Sequence, residues 1–213
     1  MSTSECWTER IGWFGKIPAA GDFVGRGLPA NFVRSWDEWL SAGLCEARHL
    51  LSEHWTEAYR QAPVLCLLLG PGVLTESAWR GILLPSMDRL GREFPLIVAQ
   101  CSAPALVEAS GHQGVEAPKQ EWWDSLVRVA QQSLEHARSA DAMEELLAMF
   151  VRGRAADLLT DAPDCEPPAA RILAESGQSA WWRFEAGRLP TEATTIFQGL
   201  PPGPELRRLL GFG

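Results

Sequence analysis

The chain has 213 residues, 46% of them hydrophobic and 22% charged, which is the composition of a folded globular protein and not of a disordered one. Its 19 basic and 27 acidic residues give a net charge of −8, without the basic domain or stripe that marks a duplex nucleic-acid reader, so nucleic acid is not an expected partner. The five cysteines, Cys6, Cys45, Cys66, Cys101 and Cys165, have no CxxC spacing and no histidine pair close by, so the usual zinc patterns are missing and reduced thiols in the cytoplasm are expected.

The N-terminal MSTSECWTER lacks a charged segment followed by an apolar one, so no secretory signal is read there. The first strand is expected over Trp7–Phe14. A loop follows over Gly15–Gly27, where Gly15, Pro18, Gly21, Gly25 and Gly27 supply turn chemistry. Pro29 suits the first turn of a helix, and Phe32, Val33, Trp36, Trp39, Leu40, Leu44, Ala47, Leu50 and Leu51 recur at spacings of three and four. That spacing predicts a helix over Ala30–Leu51, about 33 Å long, with a break near Ser52 and a second helical piece over Glu53–Arg60.

Pro63 ends this region, and Val64–Leu69 reads as a short strand buried on both faces. It is the longest strongly apolar run and is too short to span a bilayer. Further strands are expected over Trp79–Leu84 and Phe94–Cys101, where Cys66 and Cys101 act as small buried hydrophobes. Gly111–Lys119 reads as a polar loop, followed by helices over Gln120–Ala137 and Ala140–Phe150. Asp157–Pro168 is acidic, proline-rich and irregular, and Ser179–Glu185 and Thr194–Phe197 are strands. Glu205–Leu210 is a terminal helical turn. The order implies an α/β fold: a layered mixed β-sheet with helices on both faces. It is read as one domain over 1–213, with a motif-bearing part over 7–110 and a helical and C-terminal part over 111–213. The ten tryptophans, against a single tyrosine, are expected mostly in the core.

Catalytic templates fail one by one. Gly15-Lys16 follows a strand as in a phosphate-binding loop, but the position five residues earlier is Arg10 and the residue after Lys16 is Ile17. Gly25-Arg26-Gly27 begins a dinucleotide fingerprint without a strand directly before it. Ser86 sits in LPSMD and not in a nucleophile elbow, and His49, His54, His112 and His136 bear no motif relation to it. No cofactor and no metal is implied. The densest charged constellation is Asp88-Arg89-Leu90-Gly91-Arg92. Its two arginines could receive a carboxylate or phosphate as a fork; alternatively Asp88 pairs with Arg89 or Arg92, or caps the turn. Lys16 and Asp22 would join this constellation if the two loops share an edge of the sheet.

Three blocks carry a family resemblance: GWFGKIPAAGDF at Gly12–Phe23, FVRSWDEWL at Phe32–Leu40, and GILLPSMDRLGREFPL at Gly81–Leu96. In order and spacing they resemble the TagF (ImpM-like) proteins associated with bacterial type VI secretion. The departures are small: Ile17 for Leu, Ile82 for Val, Met87 and Leu90 for Val, and Ile97 for Thr. The likeness is strong over about the first 100 residues and one of style beyond them. It implies a non-enzymatic cytoplasmic accessory factor that represses type VI secretion after translation. The implied partner is the forkhead-associated scaffold protein, alongside a threonine kinase and phosphatase pathway, with no membrane insertion. Lys16, Asp22, Arg26, Ser86, Asp88, Arg89 and Arg92 are the candidate partner-binding residues. The alternative reading is a small-molecule or phosphoprotein sensor built on the arginine-lined loop.

Overall fold

The computed structural model describes residues 11–102, 105–107, 112–157, 173–188 and 193–212. In chain order the elements are β1 (Ile11–Gly15), β2 (Val24–Arg26), α1 (Ala30–Leu51), a single 3-10 turn (Ser52–His54) and α2 (Trp55–Arg60). Then come β3 (Leu65–Leu69), β4 (Ala78–Leu84), β5 (Leu96–Ser102), β6 (Ala105–Val107) and β7 (His112–Glu116). The chain continues with α3 (Gln120–Glu135), α4 (Ala140–Asp157), β8 (Leu173–Glu175), β9 (Gln178–Arg183), β10 (Thr195–Gln198) and α5 (Gly203–Leu209).

Seven strands form one sheet in the order β10-β9-β3-β4-β5-β1-β2, and β6-β7-β8 form a second, three-stranded sheet. The layered α/β arrangement is present, and every pairing within the two sheets is antiparallel. The central strand β3 is buried at every position, as its unbroken apolar run predicts. Its side chains alternate between two cores. Leu65, Leu67 and Leu69 pack toward α1, α2 and α5, and Cys66 and Leu68 toward α3 and α4. Consecutive tryptophans do the same in β9: Trp181 stacks on Trp36 at 6.2 Å between ring centroids, and Trp182 meets Trp123 edge-on at 5.0 Å. Of the tryptophans described, Trp13, Trp36, Trp55, Trp79, Trp122, Trp123, Trp181 and Trp182 are buried and Trp39 is half-buried.

Helix α1 has the expected bounds, with Phe32, Trp36, Leu40, Leu44 and Ala47 forming its buried stripe. Pro29 stands just outside it, extended at φ −62° and ψ 147°. The break comes at Ser52, in a positive-φ conformation with its N–H returned to the Arg48 carbonyl. Two readings are corrected. Part of Gly15–Gly27 is the short strand β2, and Gly111–Lys119 holds β7, which pairs with β6 and β8. Pairing with β1 makes the first of these strands and pairing with β6 and β8 the second, where local propensity alone reads loop. Residues 7–10 of the expected first strand, and all but the first residue of the acidic Asp157–Pro168 stretch, lie outside the described residues.

Candidate functional site

Strands β1 and β5 are antiparallel neighbours with Phe14 opposite Ile97. The segment leaving β1, 16–23, and the segment entering β5, 85–95, therefore emerge at the same end of the sheet. Gly15 makes the close approach possible. Its φ is +146°, and a Cβ there would sit 2.3 Å from the Pro95 carbonyl oxygen, a separation no side chain tolerates.

Cross-bonds join the two segments. Ser86 Oγ donates to the Lys16 carbonyl at 2.6 Å, and the Arg89 N–H donates to the Ala20 carbonyl at 2.7 Å. Arg92 Nη2 donates to the Gly21 carbonyl. Lys16 Nζ lies 3.2 Å from Asp88 Oδ2, and Arg92 Nε 2.7 Å from the same oxygen. Asp88 Oδ1 accepts the N–H groups of Leu90 and Arg92, each at 2.9 Å. The carboxylate thus caps its own turn, which Gly91 closes at φ +76° with its N–H on the Asp88 carbonyl. Both alternatives for Asp88, pairing and capping, are realised, and its arginine is Arg92. Burial pushes the Asp88 carboxyl upward, but the Arg92 N–H and guanidinium, the Lys16 ammonium and the Leu90 N–H outweigh it. They hold the group well below the ordinary carboxylate value.

A second brace comes from α2. Tyr59 donates its hydroxyl to the Ser86 carbonyl at 2.8 Å and accepts the Ser86 N–H at 3.1 Å. Burial keeps this phenol un-ionised, raised far above its ordinary value despite the opposing Ser86 bond. Trp55, also on α2, donates to the Glu93 carboxylate.

The seven candidate residues therefore separate. Lys16, Ser86 and Asp88 are buried and bonded inward. The Ser86 hydroxyl spends its proton on a backbone carbonyl, and Arg92 has two of its guanidinium nitrogens bound. Arg26 points elsewhere: it lies 3.9 Å from both Asp141 and Glu144 of α4. Asp22 is exposed and accepts the Phe23 N–H at 2.8 Å. Arg89 is exposed, with its guanidinium resting over Gly21, where an added Cβ would lie 3.4 Å from Nη2. Two surface residues escaped the sequence reading as contacts. Leu90, at the tip of the Asp88 turn, is 69% exposed, and Phe23 is 42% exposed. Phe23 is held in place by Phe14, by Phe94 edge-on at 4.7 Å, and by Lys16 Nζ at 5.2 Å from its centroid. The signal that marks Leu90 is a large apolar residue inside a polar Asp-x-x-Gly turn.

A separate groove of about 290 Å³, lined by Trp39, Gly43, Glu46, Leu200 and Pro201 among others, lies between α1 and the start of α5. Among the described residues no three His, Cys, Asp or Glu side chains gather as metal ligands would, and no helix is long and apolar enough to cross a membrane.

The model of the TagF N-terminal domain, a type VI secretion system-associated family, matches residues 12–150 and so takes in both loop segments. The chain belongs to the TagF family. Its fold is also that of a solved structure, PA0076 from Pseudomonas aeruginosa PAO1, which is 29% identical over 94% of each chain with a TM-score of 0.70. No curated protein matches the chain. In this TagF chain the family's first and third sequence blocks are the two loop segments and the strands that present them.

Proposed function

We propose that this TagF-family protein is a non-enzymatic cytoplasmic factor that represses type VI secretion after translation by binding a component of the apparatus, the forkhead-associated scaffold protein. Such an effect requires tighter binding to one assembly state of the target than to another. The observation that supports a contact at the loop pair is the division within it. Phe23 on one segment and Arg89 and Leu90 on the other are exposed, while the buried Lys16–Asp88 pair, with Arg92 bonded to Asp88 and to the Gly21 carbonyl, ties the two segments together. A rigid surface of this kind loses little entropy on binding, and aromatic and arginine side chains dominate binding hot spots. The sensor alternative needs both Arg89 and Arg92 as a fork, and Arg92 is already committed to Asp88 and Gly21.

The test is calorimetric titration of purified scaffold protein with the wild type and with Leu90→Ser. Leu90 is exposed, so the substitution costs less than about 0.5 kcal/mol of stability. Affinity is expected to fall by about tenfold or more, the size of a modest hot spot. Equal affinity in the two proteins, both folded, removes this surface as the contact.

A further inference from the structure

The two edges of the seven-stranded sheet differ in chemistry. β2 is three residues long and carries Gly25 and Arg26, whose guanidinium lies 3.9 Å from Asp141 and from Glu144 of α4. β10, at the other edge, reads Thr-Ile-Phe-Gln, with no charge, proline or glycine. Charge, proline and bulges are how natural sheets guard an exposed edge, so β10 is protected by its shortness alone.

The hydrogen bonds fix which backbone groups of β10 face outward. Two residues beyond the Phe197–Ser179 pair, the Gly199 N–H donates to the Gly177 carbonyl at 2.7 Å. On the far side of β9, the Gly70 N–H donates to the Gln178 carbonyl at 2.8 Å. Bonded pairs alternate along an antiparallel ladder. Gln178 and Ala180 therefore bond toward β3, and Thr195 and Phe197 bond toward β9. This turns the N–H and C=O of Ile196 and Gln198 away from the sheet, where they meet no partner among the described residues. The Ile196 side chain is 54% exposed, and Phe197, packed on the opposite face against the core shared with α1, is half-buried.

We infer that β10 pairs with β10 of a second copy of this chain, antiparallel about a two-fold axis through Phe197. In that register Ile196 of each copy bonds with Gln198 of the other, so the outward N–H and C=O groups of both residues are all used. The two Phe197 side chains meet as a non-hydrogen-bonded pair, the closer kind, and each Ile196 lies beside the Gln198 of the other copy. A second copy suits this edge because the strand is uncharged, so self-pairing sets no like charges opposite one another. A charged segment would find nothing on the strand to pair with. So short a ladder buries less than the roughly 1,000 Å² of a stable interface, which makes the dimer weak and reversible. The contact is separate from the loop pair, since β9, β3 and β4 stand between β10 and β5.

The test is sedimentation equilibrium of the full chain over rising concentration, for the wild type, Ile196→Lys and Gln198→Pro. It is run at high salt, which screens the repulsion from a net charge of −8. Lysine at 196 puts a charge on the ladder of each copy, and proline at 198 removes an outward N–H without removing a bond to β9. Thermal denaturation verifies that both variants fold. The wild type is expected to shift from monomer to dimer below about 1 mM, and each variant to associate at least tenfold more weakly. Amide hydrogen exchange read by NMR reports the register. The Ile196 and Gln198 amides of the wild type should slow as concentration rises, while those of Thr195 and Phe197, bonded to β9, are slow throughout. A wild type that stays monomeric to about 1 mM overturns the inference. So does a dimer equally strong in either variant, or one that leaves the Ile196 and Gln198 amides unprotected. A monomeric wild type whose two amides are protected by added scaffold protein also overturns it and gives the edge to a different partner.

Discussion

Asp88 shows how much of a motif is architecture. Its carboxylate receives two backbone N–H groups, one guanidinium and one ammonium while buried, and these hold it ionised in the folded protein at neutral pH. Its folded pKa lies below the unfolded value, so the stabilisation is present above about pH 4 and is lost as pH falls toward the folded value. Urea unfolding measured from pH 7 down to pH 3 should show a midpoint that declines below about pH 4. Asp88→Asn should have a lower midpoint at pH 7, because Lys16 is left buried beside a neutral amide, and a flatter acid limb. An acid limb identical to the wild type's contradicts the role given to this carboxylate. Gly91 allows a cleaner measurement. A Cβ there meets nothing, so Gly91→Ala isolates the backbone cost of φ +76°, about 1 kcal/mol by denaturant titration. The sequence displays these residues as one charged constellation. It does not display which carboxylate oxygen meets which cation, because Lys16 and Asp88 meet only through the pairing of β1 with β5.

At the scale of elements, legibility follows the range of the interactions involved. Helix α1 can be read to its end residues because its apolar stripe is local, and β3 because Pro63 and Gly70 bound an unbroken apolar run. Strand β7, His112–Glu116, contains a glycine and polar ends, and its partners are β6 and β8, the latter about sixty residues away. Its nearby partner β6 is only three residues long, and the other partner is far along the chain, so its own residues do not mark it as a strand. The tandem Trp181-Trp182 is legible only as a strand; the structure gives each ring its own core. Trp182→Ala should cost about 3–5 kcal/mol, the usual loss for a fully buried large aromatic, read as a drop in urea midpoint. A loss below about 1 kcal/mol contradicts the placement of that ring against Trp123.

At the scale of the molecule, the antiparallel order of the seven-stranded sheet brings two sequence blocks some seventy residues apart to one end, tied by the Ser86–Lys16 bond. Helices on both faces clamp the sheet, and α2 reaches the loop pair through Tyr59 and Trp55. The family blocks therefore describe a scaffold with an exposed tip. The residues most conspicuous in sequence, Lys16, Ser86 and Asp88, lie beneath the tip and hold it in place. Leu90, inconspicuous in sequence, is its most exposed large apolar side chain. The decisive measurement is the amount of effector secreted by a type VI-competent bacterium expressing either the wild-type protein or the Arg89→Glu/Leu90→Ser variant at equal folded abundance. The wild type should suppress secretion and the variant should release it; equal suppression by both would show that this tip is not how the protein acts.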